Sequence, residues 1–237
     1  MMHAATPQPV TITVDDAHRV SGLLQAPRQA RTCSVLAHGA GAGMLHPFMA
    51  AAADGLALRG IASLRYQFPY MEQGSKRPDA PKLAEATVRA AVSEASRLVP
   101  GLAFVAGGKS FGGRMTSQAQ ATSTLPGVTG LVFLGFPLHA AGRPSDERGK
   151  HLFEVAVPML FLQGTRDALA DITLMQRLVQ ELGPRATLKL FPDADHSFHV
   201  PARSGRKDAE IRAEMLDALA AWIKIVAVSR PESRRTP

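Results

Sequence analysis

The chain has 237 residues, 46% hydrophobic and 20% charged, with one cysteine and a formal net charge of +7. That length and balance suit a single soluble α/β domain with a well-buried core. No apolar run approaches the ~20 residues of a membrane-spanning helix, Met1-Met-His-Ala-Ala-Thr has neither the basic start nor the apolar core expected of a signal peptide, and Cys33 alone excludes an internal disulfide framework, which fits a reducing cytoplasm.

The basic excess, Lys+Arg 27 against Asp+Glu 20, is partly local. Arg203, Arg206 and Lys207 form one cluster; Arg230, Arg234 and Arg235 fall in a Pro/Ser-rich tail, residues 230–237, expected to be disordered beyond a single domain spanning 1–229. Only 5% of residues are aromatic and no nucleic-acid motif is present, so the charge reads as solvated surface and not as a nucleic-acid or membrane partner site.

In chain order the pattern alternates strand and helix. Val10–Val14 and Arg19–Gln25 are expected to form an antiparallel hairpin turning at Asp15-Asp16, and Ser34–Ala37 a buried strand ending at His38-Gly39. Pro47–Arg59 should be a helix closed by Gly60, Ile61–Tyr66 a strand, Gln67–Pro81 a polar loop and Lys82–Val99 a helix. Leu102–Ala106, Val128–Phe136, Pro158–Gln163 and Ala186–Phe191 follow as strands, with helices over Phe111–Thr122, Asp171–Leu182 and Asp208–Val228. Pro137–Glu154 has no clear period. Repeated strand–helix units imply a mostly parallel twisted sheet of about eight strands covered on both faces.

The chemistry centres on Gly108-Lys-Ser-Phe-Gly112, a G-x-S-x-G pattern between a strand and a helix. A serine on so sharp a turn has strained backbone angles, and the flanking glycines remove Cβ atoms that would clash. The turn also aims the first N–H groups of the helix at the reacting centre. A phosphate-binding P-loop would need glycine where Ala103 stands, and a dinucleotide loop is excluded because Met44 occupies its last glycine position.

Partners lie where an open α/β sheet places its ligands, at the carboxyl ends of strands. Asp167 follows one strand in Gln163-Gly-Thr-Arg-Asp167, and His196 follows another in Asp193-Ala-Asp-His-Ser-Phe198. The order Ser110, Asp167, His196 suits a nucleophile, an orienting acid and a base. Asp171 and His199 are the rivals: Asp171 is better placed as a helix cap, and His199 lies further along its loop. His38-Gly-Ala-Gly-Ala-Gly43 could turn the Ala40 N–H, or failing that Gly41, toward the serine as a second oxyanion donor beside Phe111 N–H.

Together with His46-Pro-Phe-Met49, Phe68-Pro-Tyr-Met-Glu72 and Gly107-Gly-Lys-Ser-Phe-Gly-Gly-Arg-Met115, these motifs resemble the α/β-hydrolases related to dienelactone hydrolases. Within them the chain is similar to the bacterial relatives of the testis-expressed protein 30 group. The resemblance runs from about residue 30 to the final helix and implies an α/β-hydrolase fold and the triad positions. It implies the reaction only loosely: dienelactone hydrolases proper carry a cysteine nucleophile where Ser110 stands, and eukaryotic relatives include a scaffold subunit.

The expected activity is hydrolysis of a small or medium carboxylic ester through an acyl-enzyme, with no metal or organic cofactor. A peptidase or amidase on the same triad and a non-catalytic binding module are the alternatives. With only residues 137–154 available as a cap, the site should be shallow and rimmed by His46, Phe48, Tyr70, His139 and Arg143. The residues leave the oligomeric state and the roles of Lys109 and Arg114 open.

Overall fold

The computed structural model describes residues 5–228, so the tail expected at 230–237 lies outside them. One eight-stranded sheet runs through the molecule in the order β1-β2-β4-β3-β5-β6-β7-β8. Its strands are β1 (Gln8–Thr13), β2 (Arg19–Gln25), β3 (Thr32–Ala37), β4 (Ala62–Tyr66), β5 (Ala103–Lys109), β6 (Val128–Leu134), β7 (Met159–Gly164) and β8 (Ala186–Phe191). β1 and β2 form the expected antiparallel hairpin, and β2 joins β4 antiparallel. From β4 to β8 every pairing is parallel.

The parallel strands are near-continuous apolar runs because helices cover both of their faces. α1 (Pro47–Leu58) and α6 (Asp208–Val228) pack on one face through Met49, Leu56, Met215 and Ile223. α3 (Pro81–Leu98), α4 (Phe111–Thr122) and α5 (Ile172–Leu182) cover the other through Val88, Met115 and Leu178. Gly130 in β6 leaves the space that the Trp222 ring fills, since a Cβ there would lie 2.6 Å from it.

Three expectations need correction. β3 begins at Thr32, so Cys33 lies inside the strand and is fully buried. The loop expected over 67–81 contains a short helix, α2 (Pro69–Glu72), started by Pro69 with its fixed φ. Residues 137–154, without a period in sequence, end in a 3₁₀ helix over Glu147–Glu154 that buries Gly149 and Leu152 against α4 and α5. Among the described residues no helix is long and apolar enough to cross a membrane.

Because β3, β5, β6, β7 and β8 run the same way, their carboxyl ends share one edge of the sheet. Ala40, Ser110, Asp167 and His196 all follow such ends, and the topology alone brings them together.

Candidate active site

Ser110 sits between β5 and α4 with φ 51° and ψ −117°, one of three described non-glycine residues at positive φ. Such a conformation costs on the order of 1–3 kcal/mol and persists only when its surroundings enforce it. Here the Ser110 N–H donates to Leu134 O at 3.3 Å, and its carbonyl accepts from Arg114 N–H at 3.1 Å. The glycines are required by close approach: a Cβ on Gly108 would stand 2.1 Å from Ala37 O, and one on Gly112 2.5 Å from His38 O. The G-x-S-x-G spacing is the imprint of a turn pressed against β3.

His196 Nε2 lies 2.8 Å from Ser110 Oγ, and its Nδ1 lies 2.7 Å from Asp167 Oδ2. The Asp167 side chain is fully buried. Its charge is met by Gln163 Nε2–H on Oδ2 at 2.5 Å and Leu169 N–H on Oδ1 at 2.8 Å, besides the imidazole. Gln163 in turn accepts from Phe136 N–H at 2.9 Å, so β7 itself aims the carboxylate. Gln163 belongs to the Gln-Gly-Thr-Arg-Asp motif, and the sequence signal for its role is an amide side chain at the end of the apolar run Met159-Leu-Phe-Leu162.

The rivals do other work. Asp171 caps α5 by accepting from Leu174 N–H at 2.9 Å. His199 points outward and pairs with Asp208 at 2.8 Å. Asp195 holds the loop between them, its Oδ1 accepting from Ser197 and His199 N–H at 2.7 and 2.9 Å.

The Phe111 N–H opens α4 and has no carbonyl one turn back to bond. The Ala40 N–H has no acceptor among the described residues. His38, buried between Phe68 and Tyr70, donates from Nδ1 to Gly39 O at 2.8 Å and accepts from Phe68 N–H on Nε2 at 3.1 Å. Both ring nitrogens are therefore used by a neutral imidazole, and burial holds its pKa below the ordinary histidine value. Tyr70 Oη donates to Ala40 O at 2.9 Å. Burial first, and the Asp79 carboxylate second, push its phenol up to about 12, so it stays a donor.

A cavity of about 360 Å³ opens beside Ser110 and His196, walled by His46, Phe48, Met49 and Leu169. His46 also caps α1, accepting from Phe48 N–H at 3.2 Å. Tyr70 and His139, expected on the rim, do not line this cavity. Tyr70 is buried behind the Ala40 loop. His139 is buried and tied to Ala140 O and Asp171 N–H at 2.9 and 2.7 Å. Arg143 is exposed in a turn and also lies off the cavity wall. No described group of His, Cys, Asp and Glu is placed to hold a metal ion. The arrangement can activate a hydroxyl and stabilise an oxyanion.

Comparison with known proteins agrees with this architecture. The model of a family described as alpha/beta hydrolase domain matches residues 30–224. The dienelactone hydrolase of Anabaena variabilis superposes with a TM-score of 0.78 at 20% identity, over 95% of this chain and 100% of that one. A serine hydrolase without lid from Xanthomonas campestris gives 0.73 at 20% identity, over 98% and 100%. The esterase domain of a Rhodothermus marinus protein gives 0.72 at 17% identity, over 94% and 99%. At these identities the likeness is one of fold.

Proposed function

The chain belongs to the alpha/beta-hydrolase family, and from that premise we propose that it is a serine hydrolase cleaving carboxylic esters of small to medium acyl groups. One observation carries the reading: the unbroken hydrogen-bonded chain from Ser110 Oγ through His196 to the buried Asp167 carboxylate. Similar folds named as an esterase domain and as a lidless serine hydrolase support it. The lone cysteine suits a cytoplasmic enzyme.

Ser110 Oγ attacks the acyl carbon as its proton passes to His196 Nε2. Asp167 fixes the tautomer with hydrogen on Nδ1 and offsets the charge of the imidazolium. The carbonyl oxygen, now an oxyanion, takes the Ala40 and Phe111 N–H groups. Collapse breaks the ester C–O bond, and His196 returns its proton to the departing alkoxide. Water then attacks the acyl-serine by the same route, releasing acid and restoring Ser110.

The test is hydrolysis of p-nitrophenyl acetate and butyrate together with covalent labelling by a fluorophosphonate. Wild type is expected to do both, and Ser110→Ala to lose both at an unchanged melting temperature. Retained turnover in Ser110→Ala would overturn the mechanism.

A further inference from the structure

Lys109 is the last residue of β5 and immediately precedes the nucleophile. Strand alternation puts its side chain on the same face as Val105, toward α1 and α6, where the loop carrying His196 crosses the sheet edge. A lysine at a strand end ordinarily reaches solvent. This one stays in the cavity wall, with its Nζ 5.8 Å from the centre of the Phe48 ring and 5.6 Å from that of Phe198. There Nζ donates to the backbone carbonyl of His196 at 2.5 Å, across 87 residues of sequence.

The neighbourhood is built around this contact. Gly135, at the end of β6, leaves the room: a Cβ there would stand 3.0 Å from Lys109 Nζ and 3.5 Å from His196 Cε1, so ammonium and imidazole share one small volume. The Asp167 and Asp195 carboxylates attract the ammonium from a distance without pairing with it, and burial lowers its pKa to about 8. Keeping a cation under-solvated without a paired carboxylate is costly. A residue that breaks the local rule in this way beside a reactive centre is expected to serve it.

We propose that Lys109 is a positioning residue of the hydrolytic site: by donating to the main chain of His196 it tethers the loop of the base to the strand that bears Ser110. The inference rests on the serine-hydrolase reading above. The other charged or titratable groups at this corner are Arg166 beside Asp167, Asp195 and His199 on the same loop, and His46 across the cavity. All of them remain when Lys109 is replaced.

The experiment measures the second-order rate of fluorophosphonate modification of Ser110 from pH 5 to pH 9. It compares wild type with Lys109→Met, which loses charge and donor, Lys109→Gln, which keeps a donor, and Lys109→Arg, which keeps both. Thermal melts establish that each variant is folded. The plateau rate should fall about tenfold to a hundredfold in Met, from misplacement of the base, less in Gln, and be restored in Arg, a rescue that a merely space-filling role would not give. Plateaus that overlay wild type in whichever of Met and Gln melts normally would overturn the assignment of Lys109. A wild type that fails to label would bring down the hydrolase reading instead.

Discussion

The Phe68 N–H donates to Nε2 of His38 across 3.1 Å, and that one bond decides which proton the imidazole carries. With Nε2 an acceptor, Nδ1 holds the hydrogen and gives it to Gly39 O. The Gly39–Ala40 peptide is planar and trans, so fixing its carbonyl toward His38 turns the Ala40 N–H the opposite way. His38 therefore orients the N–H proposed as an oxyanion donor, from behind the loop that carries it. His38→Leu should lower kcat for p-nitrophenyl acetate about a hundredfold and cost about 1–3 kcal/mol of stability, because Phe68 N–H loses its partner. Tyr70→Phe, which frees Ala40 O, should show a milder loss of about tenfold. Wild-type kcat in a folded His38→Leu protein would show that the loop orients itself.

The two aspartates separate catalysis from folding. Asp167→Asn should reduce kcat by several orders of magnitude with little change in melting temperature, since the wrong imidazole tautomer is a catalytic fault. Asp171→Ala should cost about 1 kcal/mol through the lost cap of α5 and leave kcat alone. Gln163→Leu should fall between them, lowering kcat because the Asp167 carboxylate loses one of its anchors. Kinetics and melts on the three variants side by side would expose a wrong assignment as the reverse pattern.

Substrate length follows from the wall of the cavity. Its volume of about 360 Å³ and its apolar lining by Phe48, Met49 and Leu169 suit acetyl and butyryl groups, and the 3₁₀ helix over Glu147–Glu154 packs on α4 and α5, off the cavity wall. A series of p-nitrophenyl esters should peak at short acyl chains. A best kcat/KM at palmitate would contradict the cavity as the acyl site.

Acid stability should reflect two neutral histidines, His38 buried and His151 half-buried. His151, bonded to Ser117 Oγ at 2.7 Å, is lowered to about 4 by burial and secondarily by Arg114, and His38 is lowered by burial. The unfolded chain takes up these protons near the ordinary value of about 6.5 while the native state does not. Stability is thus fully present above pH 6.5 and is lost as pH falls toward 4. His151→Gln should flatten urea-melt stability over that window by about 2 kcal/mol, discounted for the ring's partial exposure. An unchanged slope would remove His151 as a source.

Cys33, buried in β3 with its thiol pushed up to about 12 by burial, should resist iodoacetamide in the native protein. Cys33→Ser should keep esterase activity and lose about 1–2 kcal/mol, as a hydroxyl enters the core. Rapid alkylation of native protein, read by mass, would show that the strand opens.

Much of the site was legible in the residues because its demands are local. A serine on a strained turn needs glycines at set offsets, and parallel strands deliver whatever follows their carboxyl ends to one edge, so a nucleophile, an acid and a base can be sought in order at Ser110, Asp167 and His196, with Asp171 and His199 as rivals. Direction and depth could not be read this way. His196 and His199 share one loop, and only the Asp195 turn and the Asp208 pairing send the first to Ser110 and the second outward. Tyr70 and His139 looked like rim residues, yet packing turns both inward to hold backbone. The residues leave the role of Lys109 open, and only the aromatic rings of α1 and of the His196 loop, which flank its ammonium, give it a place beside the base. In each case the deciding neighbour lies far away in sequence, and its effect is set by which face a side chain occupies once the layers close, a property that tertiary packing alone determines.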